Sequence, residues 1–202
     1  FFCCHFIADI LREAEYKVGL ATTIGFRIGD REIMNDTKMT TVGRFALQKM
    51  LRQMVNVGCD YAIIEVTSHA LSQFRIDFIS PDVALLTNIF PEHVEYHGGL
   101  EDYIQAKGKL FSLLGKSVLK SLNLKFSHHK KIAILNRDDP HCDFFVSLLK
   151  PFSEKADVYF YGLQKEPHFF ASSIQETQNG VSFVLNFPHD SVHIQLSMLG
   201  IF

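Results

Sequence analysis

Residues 61–69 read Tyr61-Ala62-Ile63-Ile64-Glu65-Val66-Thr67-Ser68-His69, an apolar run followed directly by a polar segment. A short, continuous apolar run is typical of a strand that is buried on both faces, as the strands of parallel sheets are. The run Val83-Ala84-Leu85-Leu86 has the same character. These two segments predict central strands of a mostly parallel sheet.

The rest of the chain alternates between helical and strand patterns. Apolar residues at helical spacing predict helices over residues 2–14, 45–55, 100–114 and 141–149. Further strands are predicted over residues 18–24, 132–135, 158–161, 169–177, 181–187 and 191–197. Together they predict an α/β domain over residues 1–202, with a mostly parallel sheet flanked by helices and an antiparallel C-terminal meander. The meander forms either the edge of that sheet or a small sheet of its own.

Glycines mark several of the predicted boundaries. Gly19 is placed as the C-terminal stop of the first helix, and Gly58 as the end of the second. Asn179-Gly180 predicts a tight hairpin turn within the meander. Residues 25–39 are polar and contain glycine, which predicts a loop with room for a short hairpin.

The composition excludes several classes of protein. With 202 residues, 47% apolar and 21% charged, the chain has the make-up of an ordinary soluble domain with one sizeable core. A net charge of −2 gives no basic field for nucleic acid, and no apolar run approaches the roughly 18 residues of a membrane span. The four cysteines form no C-x-x-C pair, which predicts neither a zinc site nor a disulfide framework. We expect a cytoplasmic, monomeric protein with reduced thiols and no nucleic-acid or membrane partner.

Three polar clusters directly follow predicted strands, where open parallel sheets bind their ligands. They are Glu65–His69, Thr87–Gly98 and Asn136–Pro140. A carboxylate at a strand end suits a magnesium ion. Each cluster also has a purely structural interpretation: a helix cap, a proline loop with hydrogen-bonded histidines, and a turn that leads into a helix. Lys107 follows on a predicted amphipathic helix, where a lysine is ordinarily solvated.

In order along the chain, these residues resemble the motifs of the Mur ligase family, most closely its UDP-N-acetylmuramoyl-tripeptide synthetase (MurE) branch. Residues 65–75 are similar to E-V-S-S-H-x-L-x-Q-x-R, and residues 87–98 to T-N-x-x-x-D-H-x-x-Y-H-G. Residues 106–111 are similar to A-K-x-x-L-F, residues 136–140 to N-x-D-D-P, and Thr40-Thr41 to a T-T-P element. The resemblance covers essentially the whole chain. It implies the ATP-binding central domain of such a ligase, with a fold like that of P-loop nucleoside triphosphatases.

The resemblance also implies a chemistry and a set of site residues. Enzymes of the MurE branch use ATP and Mg²⁺ to phosphorylate the carboxylate of UDP-MurNAc-L-Ala-D-Glu, and the amine of an amino acid then attacks the acyl phosphate. By position, Glu65 would bind one magnesium ion and His93 a second. Lys107 would be carbamylated by carbon dioxide. The three side chains would converge on one crevice. A carbamate suits that role because its oxygen binds Mg²⁺, whereas an ammonium group repels it. The UDP-muramoyl substrate would be contacted by Thr40, Thr41, Thr67, Gln73 and Arg75, and ATP by Asn136 and Asp139.

The chain departs from the family pattern at several points. Glu92 stands where the family has Asp, and Ala70 where Gly is common. The glycine-rich phosphate loop expected before Phe1 is absent, and Gly200-Ile201-Phe202 resembles only the start of a G-x-F-N segment. Both ends resemble cuts through a longer polypeptide. We therefore expect a parent protein that is a ligase and an isolated chain that is inactive.

Two other interpretations of function stay open at this point. One is a related ligase of the same superfamily, such as a folylpolyglutamate or cyanophycin synthetase. The other is a non-catalytic remnant that binds a UDP-sugar without turnover. The stretch from Thr67 to Arg75 favours the muramoyl-nucleotide ligase, because the resemblance assigns it to the muramoyl-nucleotide site.

Overall fold

The computed structural model describes residues 2–91, 94–119, 130–164 and 168–197. The chain divides into two compact units, Phe1–Ile79 and Ser80–Phe202, and each contains one β-sheet with helices packed against it. Across these described ranges, no helix has both the length and the apolar character needed to cross a bilayer.

The first unit is built on a four-stranded sheet. Its elements are α1 (Phe2–Glu13), β1 (Val18–Ala21), β2 (Gly25–Ile28), β3 (Arg31–Met34), α2 (Arg44–Asn56), β4 (Tyr61–Ile64) and α3 (Ser68–Ser72). The strand order is β3-β2-β1-β4; β1 and β4 are parallel, and β2 and β3 form the short hairpin that residues 25–39 allowed. Ala8 of α1 packs on Val18 and Leu20 of β1 in the buried interior of this unit.

Gly19 does not end the first helix, contrary to the prediction. The helix ends at Glu13, and Glu15 adopts a left-handed conformation with a φ of 65°. Gly19 lies inside β1, where an added Cβ would fall 2.4 Å from Sδ of Met54 in α2. The glycine therefore permits close packing of a helix on the strand, a long-range contact that local helix signals do not contain.

The two apolar runs form strands, but their burial on both faces was predicted wrongly. In β4, Ala62 is exposed and its neighbours are partly buried; in β5 (Val83–Leu86), Val83 is 52% exposed. Within the described residues, both are edge strands of their sheets, so fewer side chains cover them than cover a central strand. The fully buried strand is β1, which lies between β2 and β4.

The second unit carries a six-stranded sheet. Besides β5, its elements are α4 (Val94–His97), α5 (Leu100–Lys116), β6 (Lys131–Asn136), α6 (Cys142–Leu149), a 3-10 turn (Lys150–Phe152), β7 (Ala156–Gly162), β8 (Phe169–Thr177), β9 (Gly180–Phe187) and β10 (Asp190–Leu196). The order is β10-β9-β8-β7-β6-β5, parallel from β5 to β8 and antiparallel from β8 to β10. The C-terminal meander is therefore the edge of the same sheet. Phe111 of α5 and Phe145 of α6, with ring centroids 5.2 Å apart, lie in the core of this unit.

The hairpin between β8 and β9 turns one residue earlier than predicted. Thr177 pairs with Gly180, so Gln178 and Asn179 form the turn. Gly180 has a φ of 137°, and an added Cβ would lie 2.0 Å from the carbonyl oxygen of Leu196 in β10. The close approach of the neighbouring strand thus explains this glycine. With these corrections, the predicted α/β class with an antiparallel C-terminal meander is confirmed.

Candidate functional site

Four of the predicted site residues in the first unit lie in one hydrogen-bonded group. We call it the threonine–glutamate cluster; it consists of Thr23, Thr40, Thr41, Glu65 and Thr67. Thr23 follows β1 and Glu65 follows β4, and because these strands are parallel, both residues lie at the same edge of the sheet. Thr40 and Thr41 precede α2, and Thr67 is the N-cap of α3.

Thr23 holds the carboxylate of Glu65. Oε2 of Glu65 accepts a hydrogen bond from the backbone N–H of Thr23 at 2.9 Å and another from its hydroxyl at 3.0 Å. The same hydroxyl lies 3.1 Å from the hydroxyl of Thr40. Glu65 and Thr40 are partly buried and Thr23 is exposed, so this part of the cluster is open to solvent.

The hydroxyls of Thr41 and Thr67 hold the backbone of the motif. Thr41 is only 2% exposed; its hydroxyl donates to the carbonyl of Glu65 at 2.9 Å and accepts from the N–H of Thr67 at 3.3 Å. The hydroxyl of Thr67 accepts from the N–H of Ala70 at 3.2 Å, which is the helix cap that the sequence also allowed. These bonds fix the segment that follows β4. Contact of either threonine with a substrate stays a prediction.

Gln73 and Arg75 are joined to the cluster through one guanidinium group. Nε and Nη2 of Arg75 both donate to Oε1 of Gln73, the first at 2.9 Å. Nη1 donates to the carbonyl of Thr41 at 2.6 Å. The guanidinium is thus oriented by three hydrogen bonds, and all six predicted site residues of this unit belong to one network.

Thr23 is the member of this group that sequence reasoning missed. The signal was the register of the two parallel strands: Ala21 pairs with Ile64, so the residues just beyond them are brought together. The charge of Glu65 also affects the pKa of Cys4 in α1. Burial, and secondarily the negative charge of Glu65, raises the pKa of the Cys4 thiol to about 11.

In the second unit, the predicted ATP contacts Asn136 and Asp139 form a turn. Oδ1 of Asn136 accepts from the N–H of Asp138 at 2.9 Å. Asp139 is buried, and its two oxygens accept from the N–H groups of His141, at 2.8 Å, and of Ile89, at 2.5 Å. This is the turn into a helix that the sequence also allowed. Their contact with a nucleotide stays a prediction.

Lys107 is partly buried on α5, so it differs from an ordinary solvated lysine. Its Nζ lies 5.2 Å from the ring centroid of Tyr103, one turn earlier on the helix. The ring of Tyr103 also contacts His97, at a centroid distance of 5.6 Å. The lysine is therefore placed against an aromatic group and is not simply extended into water.

The expected convergence of Glu65, His93 and Lys107 stays a prediction. Glu65 belongs to the first unit and Lys107 to the second, and His93 lies outside the described residues, as does Glu92. Over the ranges that are described, no group of three or more His, Cys, Asp or Glu side chains has the arrangement of a metal site.

Comparison with known proteins connects these residues to a family. A family model for the Mur ligase middle domain matches residues 3–202. UDP-N-acetylmuramoyl-L-alanyl-D-glutamate–2,6-diaminopimelate ligase from Geobacillus thermodenitrificans is 35% identical over 98% of this chain and 38% of its own length.

Two solved structures show the same fold. A UDP-N-acetylmuramoyl-L-alanyl-D-glutamate–2,6-diaminopimelate ligase superposes with a TM-score of 0.80 at 24% identity, over 98% of this chain and 37% of its own. Folylpolyglutamate synthetase from Lactobacillus casei gives 0.63 at 14% identity, over 98% of this chain and 49% of its own. The chain thus spans about 38% of the length of the curated ligase that it matches.

Proposed function

Because this chain belongs to the Mur ligase middle-domain family, we propose that it is the middle domain of an ATP-dependent ligase that adds an amino acid to UDP-MurNAc-L-Ala-D-Glu in peptidoglycan synthesis. The observation that carries the proposal is the single hydrogen-bonded network that joins the threonine–glutamate cluster to Gln73 and Arg75. The names of the similar ligases make 2,6-diaminopimelate the first amino acid to test.

Arg75 suits the anionic part of this substrate. A guanidinium has five N–H groups, and within the described residues three of them are engaged by Gln73 and Thr41. Two N–H groups, one on each terminal nitrogen, are left to pair with phosphate or carboxylate oxygens of a ligand. Because the group is already oriented, little side-chain freedom is lost when the substrate binds.

Glu65 provides the kind of oxygen ligand that Mg²⁺ prefers, and Thr23 restrains its orientation. We assign magnesium binding to Glu65 and His93, and carbamylation to Lys107. Bound magnesium would neutralise the charge of the nucleotide phosphates during phosphoryl transfer. Asn136 and Asp139 are assigned to the ATP side of the site.

The test is an assay of the full-length protein with UDP-MurNAc-L-Ala-D-Glu, ATP, Mg²⁺ and either 2,6-diaminopimelate or lysine. We expect ADP release that depends on the amino acid, with the amide product identified by mass spectrometry. A parallel reaction with a folate and glutamate tests the folylpolyglutamate alternative. Binding of the UDP-sugar without turnover under all conditions would instead support a non-catalytic binding protein.

A further inference from the structure

We propose that Thr23 is the positioning residue of the Glu65 carboxylate, and that it acts through a hydroxyl chain directed from Thr40 to Thr23 to Glu65. The inference rests on the proposed function, in which Glu65 is a magnesium ligand. No motif that identified the site includes Thr23; its assignment comes from the geometry alone.

Thr23 restrains the Glu65 carboxylate through two hydrogen bonds. Two donors of one residue, the N–H and the hydroxyl of Thr23, meet the same oxygen, Oε2, at 2.9 and 3.0 Å. The N–H is fixed by the backbone that follows β1, and the hydroxyl approaches from the side chain. Together they restrict rotation of the carboxylate in a way that a single hydrogen bond does not. Replacing the side chain removes the hydroxyl bond and keeps the backbone bond.

The hydroxyl protons of Thr23 and Thr40 have a defined direction when Glu65 binds a metal ion. A metal-binding carboxylate is ionised and can only accept hydrogen bonds, so the one hydroxyl proton of Thr23 is given to Glu65. The hydroxyl oxygens of Thr23 and Thr40 are 3.1 Å apart. Because the single hydroxyl proton of Thr23 is directed to Glu65, we infer that Thr40 is the donor between the two hydroxyls. Donation by Thr40 polarises the Thr23 hydroxyl and strengthens its bond to the carboxylate. Thr40, assigned above to the substrate site, thereby influences the metal ligand.

Thr23 differs from the neighbouring Thr22, whose role is structural. The neighbouring Thr22 is fully buried, and its hydroxyl bonds to the carbonyl of Gly25 within the β1–β2 connection. Thr23 is exposed, and the side-chain partners of its hydroxyl are Glu65 and Thr40. Loss of the Thr23 hydroxyl should therefore alter the carboxylate with little effect on folding.

The test uses the full-length protein with the variants Thr23→Val, Thr23→Ser, Thr40→Val and the double variant Thr23→Val/Thr40→Val. Mn²⁺ affinity in the presence of ADP is measured by electron paramagnetic resonance, alongside kcat, KM and the melting temperature. Thr37→Val is the matched control, because Thr37 is an exposed threonine whose hydroxyl bonds to Asn35 outside the cluster.

We expect Thr23→Val to weaken Mn²⁺ binding about 5-fold, at an unchanged melting temperature, and Thr23→Ser to restore it. Thr40→Val should weaken it about 2-fold, and the double variant should be no weaker than Thr23→Val, because both hydroxyls act through one bond to Glu65. Equal Mn²⁺ affinity of Thr23→Val and wild type would overturn the positioning role, and additive effects would overturn the directed chain. Glu65→Gln is measured in the same way. If Glu65→Gln binds Mn²⁺ as tightly as the wild type, Glu65 is not a metal ligand, and this result would contradict the proposed function instead.

Discussion

Asp139 and Ile89 lie fifty positions apart in the chain and are joined by a hydrogen bond from the Ile89 N–H to the buried carboxylate of Asp139. The other carboxylate oxygen accepts from the N–H of His141. One side chain thus fastens the segment after β5 to the start of α6. Asp139→Ala would leave one buried and one partly buried backbone N–H group without an acceptor, which costs about 2–4 kcal/mol of unfolding free energy.

Urea unfolding measures this cost, with Asp138→Ala as the control. Asp138 is exposed and accepts from the N–H of Leu163 at 2.6 Å, so water can replace it, and we expect a loss of about 1 kcal/mol or less. If both variants lose the same unfolding free energy, burial of Asp139 does not determine how much it contributes to stability.

At position 78, we expect the glycine variant to be more stable than the alanine variant. The φ of Phe78 is 66° and its side chain is 84% exposed, with Arg44 above the ring at 5.7 Å. A left-handed backbone costs a non-glycine residue about 1–2 kcal/mol, so Phe78→Gly should be more stable than Phe78→Ala by about 1 kcal/mol.

Phe45 supplies the control for this comparison. It is 86% exposed near the start of α2, in ordinary helical conformation, so glycine there should be less stable than alanine. Thermal unfolding of the four variants measures these stabilities. Glycine should be more stable than alanine at position 78 and less stable than alanine at position 45. The same order at both would mean that the left-handed conformation at Phe78 carries no measurable strain.

The order of helices and strands was predictable because apolar periodicity is a local property. Residues 100–114 were predicted as a helix, and α5 spans Leu100–Lys116; residues 169–177 were predicted as a strand, and β8 has those bounds. Errors arose where a local signal had a long-range cause. Gly19 carries the signal of a helix stop, but its place is set by Met54 of α2.

The site was predictable to the extent that its motif is contiguous. Residues 65–75 carry their own chemistry, and Glu65, Thr67, Gln73 and Arg75 do lie in one network. Thr23 was missed because its relation to Glu65 exists only through the pairing of β1 with β4, which no short stretch of sequence encodes. The partners of Asp139 were hidden for the same reason.

The Cys4 thiol should report on the charge of Glu65. Burial, and then Glu65, raises the Cys4 pKa to about 11, so at pH 9 only about 1% of the thiol is ionised, against about half for a thiol at the usual value of 9.0. Alkylation of Cys4 should therefore be slow at pH 9 and accelerate towards pH 11. Glu65→Gln removes a negative charge, lowers the pKa and should speed the reaction.

Iodoacetamide labelling in a Cys3→Ser background, read by peptide mass spectrometry, measures these rates. Glu32→Gln is the control, since Glu32 pairs with Arg27 on the hairpin and is not among the causes of the Cys4 shift. If Glu65→Gln and Glu32→Gln have the same small effect, the charge of Glu65 does not reach Cys4.

Replacing Lys107 tests its proposed carbamylation. In the full-length protein, Lys107→Ala should lower turnover about 100-fold or more, because a ligand of the metal would be lost. Short-chain carboxylic acids should restore part of the activity by supplying the missing oxygen. Lys109→Ala, at an exposed position on the same helix, should retain activity. Wild-type turnover in Lys107→Ala would remove the carbamate from the proposal.

Arg75→Lys should weaken binding of UDP-MurNAc-L-Ala-D-Glu more than it slows turnover. An ammonium group cannot reproduce the planar donors that Gln73 and Thr41 engage, and it has no further N–H groups in the same plane for the ligand. We expect KM for UDP-MurNAc-L-Ala-D-Glu to rise about 10-fold or more, with a smaller change in kcat and none in KM for ATP. Arg44→Lys is the matched control, because Arg44 bonds to the carbonyl of Phe74 outside the cluster. Steady-state kinetics with each substrate varied in turn distinguishes the cases. A rise in KM for ATP alone would place Arg75 near ATP and contradict its assignment to the muramoyl substrate.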